Sequence, residues 1–457
     1  MHPFIQRIIF TFKLLVVSSL FIFNLQAVES YVLQDATEAE QARWDLIQKA
    51  KNEIFISYFI YQNDKIGLQL LAQLYQAKKN NPLLDIRLIM DGSANYIHKN
   101  ILYYIEQNGI KILEFHSLPK LFPGLKNINI VNFFKAIFRA NTRMHDKILI
   151  TDSENIIIGG RNMQQEYFDY NDHKNFYDLD LYANAPMAAA QAKKYFIQLW
   201  QSKHLSPIRY KEKDQSEESL INAQNTIEQQ LNFQNAEHVS LDSWRKNVVP
   251  LEQEKILLHH AFDSTKNKIQ PKLLANRFFN RLTELANTEI IFETPYFLPT
   301  KYFYRMLKKL KRKQVNVTVI TNSYCSNDMD VVAGAYELRK KKILRSGVKL
   351  FEYTGDNYLH AKALTIDDTS SMVGTFNLDP RSTYTNSELV LEVASESINN
   401  TLNEKFRRDM AQSKEIMLDK RGRAPKRDKD CEKTNMQKFL YQIGKYGSIF
   451  PFLYMQL

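Results

Sequence analysis

The chain carries the same succession of strands and polar residues twice, and this repeat limits the folds it can adopt. Three segments that read as buried strands in the first half recur in the same order in the second half: 51–59, 84–90 and 109–115 recur as 287–297, 315–320 and 347–353. Helical stretches rich in Leu and Lys follow the first strand of each set, and alternating strands and helices predict α/β units. We therefore expect an α/β fold with two similar lobes, each a mixed β-sheet flanked by helices.

The repeat also accounts for the length of 457 residues, which alone suggests about three domains or two large ones. We divide the chain into five parts, in chain order a leader, a first lobe, a connector, a second lobe and a tail: 1–30, 31–208, 209–258, 259–415 and 416–457. The connector is polar, which fits an exposed linker or an extra helix packed on the surface. The tail is basic and ends in an apolar run, and we expect it to dock on the second lobe rather than contact a membrane.

The N-terminus has the pattern of an export signal. Arg7 and Lys13 precede a ten-residue apolar core at 14–23, and Ala27 offers a small residue for cleavage. A retained membrane anchor is the alternative, so we expect a protein that is exported or attached to an envelope membrane, on the periplasmic side or secreted. Two cysteines in the whole chain exclude a disulfide scaffold and a four-cysteine zinc site. Cys325 and Cys431 can pair after export, but the sequence does not decide whether they do.

Each lobe ends in a strand marked by the same polar residues. Counted from a histidine, a lysine follows at +2, an aspartate at +7, a glycine at +14 and an asparagine at +17 in both places. The two sets are His145, Lys147, Asp152, Gly159 and Asn162, and His360, Lys362, Asp367, Gly374 and Asn377. A single His-x-Lys pair says little, but four coinciding offsets indicate a duplicated functional element.

Strand geometry indicates what this element does. Residues two apart on a strand project from the same face, so each histidine shares a face with its lysine. If the lobes face each other, one pocket at their interface holds two histidines, two lysines and two asparagines. The lysines and asparagines would bind the oxygens of a phosphodiester, and the imidazoles would supply a nucleophile and a general acid. A metal site is the alternative, but lysines repel a divalent cation, so we expect neither a metal nor another cofactor.

These residues match the signature of the phospholipase D superfamily, His-x-Lys-x4-Asp followed by Gly-x2-Asn, and the chain resembles that superfamily over most of its length, residues 45–410. Longer strings are most similar to bacterial cardiolipin synthases of the C type: 141–147, 159–162, 166–169, 321–323, 374–382 and 386–388. The hydrophobic and basic insert Leu118–Ala140, found only in the first lobe, is also similar to theirs. Thr375 stands where that group usually has Ser, and this difference keeps the side-chain hydroxyl.

The resemblance implies a two-step reaction through a phosphohistidine. Because the N-terminal element usually supplies the nucleophile in the superfamily, we assign attack to His145 and acid–base work to His360. Each imidazole needs an orienting carboxylate. By similarity Glu388 serves His360, and for His145 the best candidate is Asp178, with Asp180 as its competitor.

The turns that follow the two histidine-bearing strands begin at Asp152 and Asp367. We expect Asp152 and Asp367 to hold turns rather than contact substrate.

The net charge of +11 is concentrated in two stretches without acids, 301–313 and 339–349, which are solvated helix faces or a surface for anionic headgroups. The expected partners are anionic and zwitterionic glycerophospholipids at a membrane surface.

Transfer to a second lipid would make the protein cardiolipin synthase-like, while a hydrolase that releases phosphatidate is the alternative. A nuclease of the same superfamily is disfavoured, and no nucleic acid is expected as a partner, because no basic stripe is interleaved with aromatics for stacking bases. We expect a monomer whose single site is pseudo-dimeric within the chain.

Overall fold

A computed structural model describes residues 28–116, 142–236, 242–251, 256–263, 265–427 and 431–454. The predicted leader, apart from its last three residues, and the insert Leu118–Ala140 lie outside the described residues. Within those ranges no helix combines the length and apolar character needed to cross a bilayer.

The first lobe is built on a nine-stranded mixed sheet. The first ten strands in the part of the chain that the structure describes are β1 (Val28–Leu33), β2 (Glu53–Tyr58), β3 (Asp85–Asp91), β4 (Lys111–Phe115), β5 (Lys147–Thr151), β6 (Asn155–Gly159), β7 (Phe176–Tyr177), β8 (Asp180–Asn184), β9 (Leu205–Ser206) and β10 (Val249–Leu251). All but β7 join one sheet in the order β10-β1-β8-β6-β5-β2-β3-β4-β9. Strands β2, β3 and β4 run parallel to one another, and the other pairings are antiparallel.

Among the described residues, five helices accompany this sheet: α1 (Ala36–Lys49), α2 (Lys65–Asn80), α3 (Lys99–Gln107), α4 (Pro186–Trp200) and α5 (Glu217–Ala236). Asp35 and Asp64 cap the first two by accepting hydrogen bonds from backbone N–H groups of the first turn, as expected for acidic N-caps. Helix α5 lies in the segment predicted as a connector and packs on α2 and α3. The same segment contributes β10 to the first sheet.

The second lobe repeats this architecture. Its strands are β11 (Ile256–His260), β12 (Phe262–Asp263), β13 (Lys268–Ile269), β14 (Glu289–Glu293), β15 (Asn316–Asn322), β16 (Lys349–Tyr353), β17 (Tyr358–Leu359), β18 (Ala363–Ile366), β19 (Ser370–Gly374), β20 (Leu389–Ala394) and β21 (Ser413–Ile416). Eight of them form a sheet in the order β11-β20-β19-β18-β14-β15-β16-β21. Its helices are α6 (Pro271–Leu285), α7 (Lys301–Arg312), α8 (Asp330–Arg345), α9 (Pro380–Tyr384), α10 (Glu396–Ala411), α11 (Asn435–Gly447) and α12 (Pro451–Tyr454).

The two sheets correspond strand by strand. Apart from β10, every strand of the first sheet has a counterpart at the same place in the second, and neighbouring strands have the same relative direction. The prediction of an α/β fold with two similar lobes, each a mixed sheet flanked by helices, is therefore confirmed.

The lobes are joined through a shared core and a short strand pairing. One hydrophobic cluster contains Ile148 and Ile158 of the first lobe together with Val373 and Leu389 of the second. In addition, β7 and β17 pair in parallel across the boundary between the lobes. Apolar burial and backbone hydrogen bonds therefore fix the position of one lobe against the other.

The tail lies on the second lobe, where α11 packs against α8. The crossing is close: a Cβ atom added at Gly334 would lie 2.0 Å from the carbonyl oxygen of Tyr441, and one at Gly444 would lie 1.8 Å from that of Val331. The two cysteines, Cys325 and Cys431, form a disulfide that links the loop after β15 to this tail.

Candidate active site

Both histidine–lysine elements lie where a central strand begins. His145 lies two residues before β5, whose first residue is Lys147, and His360 lies three residues before Ala363, the first residue of β18. Each lysine folds back on its own element. The Nζ of Lys147 donates to the carbonyl oxygen of His145 at 2.9 Å, and the Nζ of Lys362 donates to the carbonyl oxygen of His360.

Each histidine-bearing segment is hydrogen-bonded to the backbone of the opposite lobe. The N–H of His360 donates to the carbonyl oxygen of Tyr177 at 2.8 Å, and the N–H of His145 donates to that of Ser387 at 3.0 Å. These bonds bring both elements to the lobe interface.

The orienting carboxylates are exchanged between the lobes. Nδ1 of His145 lies 2.9 Å from Oε2 of Glu388, and Nδ1 of His360 lies 2.6 Å from Oδ2 of Asp178. The predicted pairing, Glu388 with His360 and Asp178 with His145, is wrong. The reason is the backbone register at the interface: Asp178 directly follows Tyr177 and Glu388 directly follows Ser387, so each carboxylate reaches the histidine whose N–H is bound beside it.

Asp180, the competing candidate, has a different environment. Its carboxylate is buried and forms ion pairs with Arg43 at 2.7 Å and Arg161 at 3.2 Å. Arg161 also donates to the carbonyl oxygens of Leu33 and Gln34. This cluster therefore secures β1 and α1 to the sheet and does not contact a histidine.

The two asparagines lie in loops that follow β6 and β19. Asn162 accepts a hydrogen bond from the N–H of Ile60 at 3.2 Å and donates to the hydroxyl of Tyr167 at 2.9 Å. The N–H of Asn377 donates to Oγ of Ser382 at 3.1 Å. Its side-chain Oδ1 is buried and has no hydrogen-bond partner among the described residues, so this amide retains hydrogen-bonding capacity for a ligand.

Burial dominates the electrostatics of the site. It lowers the pKa of Lys147 to about 7 and that of Lys362 to about 8, the first with further help from the neighbouring cation of Lys362. Burial and then the nearby lysines also lower the histidine pKa values, well below the usual range for His145 and to about 3 for His360. Both imidazoles are therefore neutral at neutral pH in the absence of an anion.

The two carboxylates differ in charge. Burial raises the pKa of Glu388 to about 7. For Asp178 burial has the same tendency, but the cation of Lys362 and the contact with His360 outweigh it and lower its pKa. Asp178 is thus ionised over the neutral range, whereas Glu388 titrates within it.

Asp152 and Asp367 hold turns at the opposite ends of their strands. Asp152 accepts hydrogen bonds from the backbone N–H groups of residues 51–53, and Asp367 accepts them from those of residues 287–289. In both lobes this carboxylate ties the β-turn to the start of the adjacent antiparallel strand, β2 in the first lobe and β14 in the second. The expectation that these two residues hold turns is met.

Several site residues were not recognised in the sequence. The hydroxyl of Tyr167 lies 3.5 Å from Nε2 of His360. Asp146 is buried between the first histidine and its lysine, where it accepts hydrogen bonds from Tyr195 and from Oγ of Ser387. The available signal for Tyr167 was its place in the string 166–169. Asp146 gave none, because the second lobe has Ala361 at the matching position.

The described residues contain no group of three or more His, Cys, Asp or Glu side chains arranged to hold a metal ion. What the site does contain is two neutral imidazoles, each with Nδ1 held by a carboxylate, flanked by two buried lysines. With Nδ1 occupied, Nε2 of each ring is the atom left for chemistry. Such an arrangement can transfer a phosphoryl-type group from one oxygen to another.

The duplicated sheet and the shared histidine site define a member of the phospholipase D superfamily. The pattern that characterises the family described as "Cardiolipin synthase, PLD-like domain" matches residues 44–200 and 281–410. The chain belongs to this family and is an enzyme of the superfamily, a phosphatidyltransferase or phosphodiesterase.

Individual relatives agree with this placement. The chain is 27% identical over 446 residues to cardiolipin synthase C of Escherichia coli K12, covering 89% of this chain and 90% of the relative. It is 25% identical over 407 residues to a cardiolipin synthase of Clostridium perfringens strain 13, covering 84% and 71%. Among solved structures, phosphatidylserine synthase of Haemophilus influenzae shares the fold with a TM-score of 0.63 and 17% identity, covering 94% of this chain and 95% of that one.

Proposed function

We propose that the protein is a phosphatidyltransferase that acts on glycerophospholipids through a phosphohistidine and joins two lipids as a cardiolipin synthase does. The observation that carries this proposal is the pair of histidines at the lobe interface, each with its Nδ1 on a buried carboxylate of the opposite lobe. This pairing fixes both tautomers so that two Nε2 atoms serve one phosphodiester.

In the first step, Nε2 of His145 attacks the phosphorus of a donor lipid. An N–P bond forms while the P–O bond to the headgroup alcohol breaks. His360, which takes up a proton when the substrate phosphate binds, gives its Nε2 proton to the leaving oxygen, so that the alcohol departs neutral. The phosphatidyl group stays on His145.

In the second step, His360 takes a proton from the hydroxyl of an acceptor. The acceptor oxygen attacks phosphorus, the N–P bond breaks, and both imidazoles return to their starting state. With a second lipid as acceptor the product is a cardiolipin-type lipid, and with water it is phosphatidate.

The lysines and asparagines stabilise the charge that develops on the non-bridging oxygens. Bound phosphate also opposes the repulsion that Lys362 exerts on His360. An anion in the pocket therefore raises the pKa of that imidazole, so that the proton needed for the leaving alcohol is taken up together with the substrate.

His145 is assigned as the nucleophile because its side chain is the more accessible of the two, 12% exposed against 6% for His360. A nucleophile must reach a phosphorus that arrives from the bilayer. The ionised Asp178 beside His360 favours an imidazolium there, which is the form a general acid requires.

Transfer is favoured over hydrolysis by the relatives, since cardiolipin synthases of two bacteria match most of this chain. The disulfide between Cys325 and Cys431 supports the proposal that the chain is exported, because disulfides persist in oxidising compartments. We propose that the enzyme is exported or attached to an envelope membrane, on the periplasmic side or secreted, with the leader removed or kept as an anchor.

The test is to incubate the purified protein with vesicles that contain phosphatidylglycerol and phosphatidylethanolamine and to resolve the lipid products by mass. Cardiolipin is the expected product, with glycerol or ethanolamine released according to the donor used. Phosphatidate as the sole product would convert the proposal to a hydrolase. If neither lipid changes and DNA is degraded instead, the proposal fails in favour of a nuclease.

A further inference from the structure

The C-terminal part of the chain carries a continuous set of exposed apolar side chains. We call these seven residues the apolar strip: Met436, Phe439, Ile443, Tyr446, Ile449, Phe450 and Leu453, which are 44–65% exposed. On α11 its members recur every three or four residues and so occupy one face of the helix. The opposite face, with Tyr441 and Gly444, is buried against α8.

The apolar strip is held by contacts at both ends and in the middle. At its start the disulfide fixes Cys431 to the loop after β15. In the middle, Arg339 of α8 donates to Oγ of Ser448 at 2.8 Å and to the carbonyl oxygen of that residue. At its end the hydroxyl of Tyr454 donates to the carbonyl oxygens of Leu298 and Pro299 at 3.1 and 3.2 Å. The exposure is therefore a feature of a docked element.

The anchoring of Tyr454 connects this surface to the catalytic pocket. Leu298 and Pro299 end the loop that contains Tyr296, whose ring meets His360 edge-on at 6.3 Å between centroids. Leu298 also donates its N–H to the carbonyl oxygen of Leu378, directly after Asn377. A single loop thus touches both the pocket wall and the end of the apolar strip.

The surroundings of the apolar strip are basic. Helix α7 starts at Lys301, two residues after Pro299, and stretch 301–313 contains seven basic residues and no acid. Helix α11 itself has no acidic residue, and the Nζ of Lys445 lies 6.0 Å from the ring centroid of Tyr446. An apolar face next to cations matches a bilayer that carries anionic headgroups.

We propose that the apolar strip inserts into the surface of an anionic phospholipid bilayer and holds the histidine pocket at that surface. This inference rests on the proposed function, because a lipid substrate requires the pocket to meet a bilayer. Without such a partner, seven neighbouring exposed apolar side chains would favour aggregation of the protein in water.

The direct test uses the complete chain with a tryptophan as a local probe. In Phe439→Trp, the added fluorescence should shift to the blue and be quenched by vesicles of phosphatidylcholine and phosphatidylglycerol with brominated acyl chains. Leu83→Trp is the matched control, because Leu83 is an apolar residue of the first lobe that is 93% exposed. Absence of quenching in Phe439→Trp, or equal quenching in both variants, overturns the proposal.

A second test removes the apolar character. The triple variant Phe439→Ser, Ile443→Ser and Phe450→Ser should lose turnover on vesicles at least roughly tenfold, since binding scales with the apolar area inserted. It should retain turnover of a short-chain phosphatidylglycerol dissolved below its micelle concentration. Leu83→Ser with Met187→Ser serves as the control for exposed apolar residues elsewhere.

The outcomes separate this proposal from the proposed function. Quenching at Phe439→Trp without any lipid turnover refutes the catalytic proposal alone. Turnover of the dissolved lipid without quenching refutes the docking proposal alone. If light scattering shows a dimer that the triple variant breaks, while vesicle turnover is unchanged, the apolar strip is a contact between copies of the chain and the docking proposal is wrong.

Discussion

The two histidine–lysine elements have the same backbone arrangement but differ in the side chains that surround them. Glu388, which holds His145, accepts hydrogen bonds from the hydroxyls of Thr375 at 2.5 Å and Ser382 at 2.6 Å. Asp178, which holds His360, instead accepts from the N–H of Leu179 at 2.8 Å.

The residue that corresponds to Thr375 in the first lobe is Gly160, and any Cβ there would lie 2.1 Å from Oδ1 of Asp178. One carboxylate is thus held by side-chain hydroxyls and titrates near neutrality, while the other is packed against bare backbone beside a lysine and stays ionised. A duplicated scaffold can therefore give equivalent histidines different chemical environments through their neighbours alone.

The largest effect is expected from the histidines themselves. His145→Ala and His360→Ala should each lower kcat on phosphatidylglycerol by about three orders of magnitude or more. A nitrophenyl phosphodiester separates the roles, because nitrophenolate leaves without needing a proton. His360→Ala should still release a burst of nitrophenolate in stopped-flow measurements, and His145→Ala should not. The reverse pattern would exchange the two roles.

The carboxylates come next. Asp178→Asn should lower kcat about 100-fold and Glu388→Gln about tenfold near neutral pH, because only Asp178 is fully charged there. Asp178 acts through His360, and the nitrophenyl substrate does not need the proton that His360 supplies. The loss of kcat in Asp178→Asn should therefore largely vanish with that substrate. A kcat loss that persists with the nitrophenyl substrate would indicate that Asp178 acts through His145, for which the sequence made it the best candidate.

The pH dependence of Glu388→Gln gives a second check on the same comparison. The pKa of Glu388 is raised to about 7, so the carboxyl gains a proton as the pH falls below that value and comes to resemble the amide. The gap in kcat between the parent and Glu388→Gln should therefore narrow toward acid pH. A gap that widens in acid would contradict the assigned charge state.

A smaller effect is expected when the lysines are replaced by arginine. The pKa values of Lys147 and Lys362 are lowered to about 7 and 8, so in the free enzyme the cations are lost as the pH rises through this range and kcat/KM should fall. Arginine stays charged. Lys147→Arg and Lys362→Arg should therefore lower kcat/KM at neutral pH, because the geometry of the cation changes. They should also move the fall of kcat/KM at alkaline pH to higher pH. If the pH of that fall is unchanged, the fall reports the titration of another group.

The smallest effect on turnover is expected from the aspartates at the far ends of the strands. Asp152→Ala and Asp367→Ala should each lower the free energy of unfolding by about 1–3 kcal/mol, because each leaves three backbone N–H groups without their acceptor. Turnover of the folded enzyme should change by less than about twofold. Asp368→Ala, at the exposed next residue, is the control in denaturant unfolding, and a large loss of kcat in either variant would place that aspartate in the reaction.

The fold was predictable from the sequence because the repeat consists of short strand and helix patterns that recur in both halves of the chain. Segment 109–115 and its near copy 347–353 are recognisable as strands by their apolar residues and by the glycine that begins each of them. They contain β4 and β16 of the two sheets. The offset pattern likewise placed His145 and His360 at strand starts. These features depend on neighbours in the chain.

The pairing of histidines with carboxylates was not predictable in this way. It depends on which backbone of one lobe lies beside which histidine of the other, through the bonds of His145 with Ser387 and of His360 with Tyr177. No spacing within either lobe encodes that register. Asp146 escaped notice for a related reason, since its partner Ser387 lies on the other lobe.

The exchange of carboxylates also bears on how such a chain can arise and change. A contact in which each half supplies its partner with the same kind of group is isologous, as between the subunits of a two-fold dimer. If the repeat arose by duplication, a single-lobe ancestor would have needed a second copy of itself to orient its histidine, and fusion of the two copies would have kept that mutual dependence within one polypeptide. Loss of the carboxylate in either repeat would weaken the histidine of the other, so a change in one half affects the function of both.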